Sequence, residues 1–111
     1  MNITDHRVGN TLVITAEGRL DSQSAQDFQK KVLNCIDSGE KSILLDFSMI
    51  DYISSAGLRV ILTSAKRQKE GKGKLAVCSL VDNVREVFRV SGFETIVDIF
   101  PDRETALIKL G

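Results

Sequence analysis

Ile43-Leu44-Leu45-Asp46-Phe47, then Ser48-Met49-Ile50-Asp51-Tyr52-Ile53-Ser54, then Ser55-Ala56-Gly57-Leu58-Arg59-Val60 is the stretch that decides the fold. Its first five residues form an apolar run with no alternation. That is the pattern of a strand buried on both faces of an α/β sheet. The more polar residues Ser48 to Ser54 read as a loop. A helix is then predicted over Ser55 to Glu70, with Leu58, Ile61, Leu62 and Ala65 on its inner face. Gly71-Lys72-Gly73 stops it. A buried strand that feeds an amphipathic helix is the repeating unit of an α/β fold.

The flanking sequence extends the same plan. Towards the N-terminus, Ile3–Val8 and Thr11–Ala16 alternate as strands, and Gly9-Asn10 suits a two-residue hairpin turn. Ala25, Phe28, Val32 and Ile36 then recur at helical spacing, with Asp21 or Ser22 as the cap and Gly39 beyond the end. Towards the C-terminus, Leu75–Cys78 reads as a second buried strand. Asp82 is expected to cap a third helix that turns Val84, Val87 and Phe88 inward, with Gly92 past its end. Ile96–Phe100 could form a last strand, and Pro101-Asp102 opens a helix carrying Ala106, Leu107 and Leu110. The order predicts a mixed β-sheet, an N-terminal hairpin followed by βα units, with about four helices packed against it.

Composition narrows the function classes. The chain has 111 residues, with 15 basic and 15 acidic side chains and no net charge. That size suits one domain, 1–111. The charge balance argues against a general nucleic-acid binder and against a polybasic membrane-surface protein. There is no signal-peptide pattern and no apolar run of spanning length, so a cytoplasmic location is expected by default. Cys35 and Cys78 are expected to be buried thiols, and nothing calls for a metal or cofactor.

Enzyme patterns are weak. Gly71-Lys72-Gly73-Lys74 lacks phosphate-loop spacing and precedes a strand. His6 is isolated on a predicted edge strand, and Ser55 has no evident histidine partner. Asp46 and Asp51 sit near a strand end, where solvated loop positions explain them. The junction before the second helix is more informative. Ser54 or Ser55 can cap that helix, and Gly57 permits close packing. A hydroxyl in a first helical turn also faces unpaired N–H groups and the positive end of the macrodipole. A phosphate there would be stabilised by existing backbone.

The segment Phe47–Leu58 strongly resembles the signature of STAS domains, above all the single-domain bacterial anti-sigma factor antagonists. Gly18-Arg19-Leu20-Asp21 is similar to the family's element before the first helix, and Asp82–Phe88 followed by Gly92-Phe93 resembles its late helix and turn. The likeness spans nearly the whole chain. It implies partner switching: the unmodified domain binds an anti-sigma factor that is also a GHKL-type serine kinase, and so frees the sigma factor. Phosphorylation releases the domain, and a PP2C-type phosphatase restores it. The resemblance places the modified serine at Ser55, with Ser54 as its rival. It implies a partner surface of Asp21, Ser22, Ile53, Ser54, Ser55, Ala56, Gly57, Leu58 and Arg59, with Ile53 and Leu58 giving apolar contact. Asp21 could equally serve as a helix cap. Arg59 could face the phosphate or an acidic partner group. The alternative is a STAS subunit of a signalling or lipid-transport complex that is never phosphorylated. A monomer is expected until a partner binds.

Overall fold

A computed structural model describes residues 1–111. Two strands, β1 (Asn2–Val8) and β2 (Thr11–Leu20), form the expected hairpin, with Val8 opposite Thr11. Gly9 in the turn has φ of 60°, a conformation that glycine adopts without strain. Then follow α1 (Ala25–Asp37), β3 (Ser42–Ile53), α2 (Ser55–Glu70), β4 (Lys74–Cys78), α3 (Asp82–Val90), β5 (Asp98–Phe100) and α4 (Arg103–Leu110). A short 3₁₀ turn, Phe93–Thr95, precedes β5. The strands lie in the order β1-β2-β3-β4-β5, with β1 antiparallel to β2 and the remaining pairs parallel. This is the mixed sheet expected from the sequence.

The largest departure concerns β3. Ser48 to Ile53, a loop by local sequence, are strand and pair with β2 as far as Leu20. Thr15 lies opposite Asp46 but Glu17 opposite Met49, and Gly18 lies opposite Ile50 but Arg19 opposite Tyr52. Each shift inserts one extra residue into β3, a β-bulge. The bulges turn the inward positions from every second residue to every third, so Phe47, Ile50 and Ile53 are buried while Ser48, Met49, Asp51 and Tyr52 are exposed. Neither strand nor helix periodicity matches that pattern, so the extension looks irregular in the sequence.

Two helix starts also differ from expectation. Helix α1 begins at Ala25, not beside Ser22. Asp21 Oδ1 accepts the N–H groups of Gln23 and Ser24 at 3.0 and 3.2 Å, so it caps the turn leading into the helix, and Ser22 is no cap. Asp82 is the first residue of α3, while Val81 holds the cap position without a side-chain bond.

Helices α1, α2 and α3 cover one face of the sheet, where Leu12, Ile14, Leu45 and Phe47 meet Phe28, Ile61 and Phe88. Phe28, Phe47, Phe88 and Phe93 stack edge-to-face in a chain, with centroids 5.9, 6.4 and 5.8 Å apart. On the other face, α4 packs Ala106 and Leu110 on Val13, Leu44, Ala76 and Cys78. Burial pushes the Cys78 thiol up to about 11. Cys35 is only half-buried, unlike the sequence expectation.

Asp46 is not in a solvated loop. It is 4% exposed in β3 and receives two bonds from the Arg103 guanidinium of α4, at 3.1 and 2.6 Å. Burial works to raise its pKa, but the Ser48 amide and Arg103 together outweigh that, and the net shift is downward. A lowered folded pKa means that its stabilisation is complete above the ordinary carboxylate value of about 4 and fades as pH falls below it. Denaturant titrations should therefore show wild type more stable than Asp46→Asn by about 1 kcal/mol at neutral pH. That difference should shrink as pH drops from about 4 to about 2.

Candidate functional site: the start of the second helix

The β3–α2 junction is fixed by bonds on both sides. The Ser54 N–H donates to the Leu20 carbonyl at 2.9 Å, tying the junction to the end of β2. Ser54 is extended, with φ of −100° and ψ of 176°, and its Oγ accepts the Gly57 N–H at 3.3 Å. Its carbonyl accepts the Leu58 N–H at 2.9 Å, the first bond of the α2 ladder. Ser54 is therefore the N-cap, and its hydroxyl is engaged. Ser55 is the first helical residue and is exposed. No acidic side chain lies in that first turn.

Gly57 explains how the helix approaches the sheet so closely. A Cβ on it would stand 2.7 Å from the Leu20 carbonyl oxygen, 2.8 Å from Ile53 Cγ1 and 2.9 Å from Leu20 Cγ. Only glycine fits without displacing the sheet. Ile53 and Leu58, expected as apolar contacts for a partner, are instead buried in the core below. They hold the junction and are not on the surface.

The exposed surface around Ser55 is made by other residues. Ala56 and Arg59 share a shallow cleft of about 200 Å³ with Ser22, Gln26 and Gln29 of the α1 side. Arg59 is exposed and makes no ion pair in the monomer, whereas Arg19, Arg67, Arg89 and Arg103 all do. Asp21 belongs to the adjoining loop, 3.6 Å from the Arg19 Nε. The Gln23 and Ser24 amides hold its pKa below the usual carboxylate range. The structure thus brings Ser22, Ala56 and Arg59 together beside Ser55, with Asp21 next to them on the capping turn.

Two residues escape sequence reasoning. Met49 and Tyr52, on the bulged end of β3, are 51% and 38% exposed, and the Arg19 guanidinium sits 4.1 Å from the Tyr52 ring centroid. They are the large apolar side chains of β3 that face solvent just before the serines. Their signal is the three-residue spacing of Phe47, Ile50 and Ile53, which leaves them on the outer side. Asn83 Nδ2, at the start of α3, donates to the Asp51 carbonyl at 2.8 Å and braces the same end of the strand.

The STAS domain family model matches residues 2–106. The chain belongs to this family. Among curated relatives, the protein named putative anti-sigma factor antagonist BtrV of Bordetella bronchiseptica is 38% identical over 106 residues, covering 96% of this chain and 91% of that protein. Among solved structures, the one named putative anti-sigma factor antagonist of Thermotoga maritima superimposes with a TM-score of 0.93 at 23% identity, covering 97% of this chain and 93% of its own. The phosphorylated form of the Bacillus cell-fate determinant SpoIIAA gives 0.77 at 20% identity, covering 99% and 100%. The STAS family fold accounts for the sheet order and helix placement described above. No helix is long and apolar enough to cross a membrane.

Proposed function

We propose that this STAS protein is an anti-sigma factor antagonist controlled by phosphorylation of Ser55, a binding module and not an enzyme. The unmodified chain, one domain over 1–111 acting in the cytoplasm, binds an anti-sigma factor that is also a GHKL-type serine kinase. Phosphorylated Ser55 breaks that contact, and a PP2C-type phosphatase reverses the modification. The carrying observation is the division of labour between the two serines. Ser54 commits its hydroxyl to the Gly57 N–H, while Ser55 is exposed on a helix start whose first turn carries no acidic side chain.

The physics favours a switch without refolding. Phosphorylation adds about −1.5 to −2 charges at neutral pH. At the first position of α2 that charge meets the positive end of the helix dipole, so the domain tolerates it. Across a closely packed interface the same charge must be desolvated or face an acidic group, which costs several kcal/mol. Asp21, Ser22 and Arg59 form the polar contact around Ala56, and Met49 and Tyr52 supply the apolar part that Ile53 and Leu58 cannot.

Affinity purification of the tagged chain from its own cells tests the partner. Recovery of a GHKL-type kinase supports the proposal; recovery of a transporter ATPase instead favours a non-phosphorylated structural subunit. Ser54 has a separate test. Ser54→Ala removes the cap and should lower stability by about 1 kcal/mol, while Ser54→Asp should retain most of it. Neither change should prevent Ser55 from being phosphorylated, which peptide mass spectrometry reads directly.

A further inference from the structure

The sheet has two edges, and they are unlike. Strand β5 is three residues long, whereas β1 is seven residues long and is exposed along nearly its whole length. A long uncovered edge is a template for another strand, and charged side chains commonly block it. The charges on β1 do not block it uniformly, because Asp5 and Arg7 have opposite signs and lie two residues apart.

The hairpin sets the register of the free edge. In a two-residue hairpin, Val8 and Thr11 exchange backbone bonds, and the pattern alternates from there. Thr4, His6 and Val8 therefore direct their backbone groups to β2, while Ile3, Asp5 and Arg7 direct theirs outward. Their side chains share one face: Asp5 pairs with Lys31 of α1, and Arg7 with Glu40 just beyond it. His6 lies on the other face, against Arg103.

We propose that two copies of this chain associate through antiparallel pairing of their β1 strands about a two-fold axis at His6. A two-fold axis normal to a continuous sheet keeps each face on its own side, so a residue at the axis meets its own copy. An axis at Asp5 sets carboxylate against carboxylate, and one at Arg7 sets guanidinium against guanidinium. With the axis at Thr4, Asp5 meets Ile3. With the axis at His6, Asp5 meets Arg7 of the second copy and Arg7 meets its Asp5, both as backbone-bonded pairs. Thr4 then meets Val8. The charges run Lys31, Asp5, Arg7, Glu40 across the junction in alternating sign. On the opposite face His6 meets its own copy, each beside its Arg103; this register satisfies the outward backbone groups and pairs every Asp5 with an Arg7. The interface is small, so the dimer is weak, and it is independent of the Ser55 switch.

Sedimentation equilibrium from about 10 μM to about 1 mM reads the association directly, with an expected dissociation constant on the order of 100 μM. Asp5→Arg and Arg7→Asp should each weaken self-association at least about tenfold, because each sets like charges opposite one another. Both sites are exposed, and circular dichroism should show both variants folded. An equimolar mixture should regain association, because the two basic side chains on one variant's strand then face the two acidic side chains on the other's. A wild-type chain that stays monomeric over that range overturns the proposal. So do single variants that dimerise like wild type, or a mixture that fails to recover.

Discussion

Phosphorylated Ser55 should bind the partner kinase about a hundredfold more weakly than the unmodified chain, a difference of about 2.7 kcal/mol. Ser55→Asp, with roughly half the added charge, should weaken binding at least about tenfold. Ser55→Ala should bind like the unmodified chain and stay bound after ATP is added. The sizes follow from where the group sits. Ser55 is exposed at the first position of α2, its backbone is fixed by the Ser54 cap, and the neighbouring first-turn residues carry no acidic group. A new negative charge should therefore leave the fold alone and act across the proposed interface. Isothermal titration calorimetry against the kinase measures all three forms. Circular dichroism should show no change among them.

Gly57→Val should destabilise the domain by about 3 kcal/mol. Two effects of opposite sign compete at this position. Replacing a glycine inside a helix gains about 1 kcal/mol for alanine and less for a β-branched residue. Against that, the first added carbon already stands 2.7 Å from a backbone carbonyl and below 3.0 Å from two buried side-chain atoms. The carbonyl belongs to Leu20, which also accepts the Ser54 N–H, so it cannot retreat without breaking the junction. Steric strain therefore wins, and Gly57→Ala should lie between wild type and Gly57→Val. Urea denaturation monitored by circular dichroism gives the order. Because α2 would be pushed off the sheet, Gly57→Val should also move Ser55 and weaken partner binding.

Much of this is legible in the sequence where periodicity is intact. Helix α2 spans the predicted residues, but Val60, Ser64 and Gln68 are buried with Leu58 and Ile61 while Leu62 and Ala65 are only half-buried; the inward residues of α1 are the four expected. The sequence leaves Ser54 and Ser55 both open as the cap, and the extended backbone of Ser54 decides it. What fails has a common cause. The two bulges in β3 are set by pairing with β2, a non-local event that local spacing does not encode, so a strand passes for a loop. The same bulges bury Ile53 and expose Met49 and Tyr52, which exchanges the expected members of the apolar surface. Asp46 is misplaced for a similar reason: its partner Arg103 lies far along the chain, on α4. The family likeness carries the functional expectation further than spacing can, since no composition or periodicity distinguishes a phosphorylated serine from a helix cap.

The central claim is that charge written at Ser55 controls partner binding. Its most direct test is to incubate the chain with the co-purified kinase and ATP, map the phosphate by peptide mass spectrometry, and measure binding of the modified form in the same preparation. The account predicts a phosphate on Ser55, with Ser54 unmodified, and binding weakened about a hundredfold. No phosphate on Ser55, or a phosphorylated chain that binds the kinase as tightly as before, would contradict it.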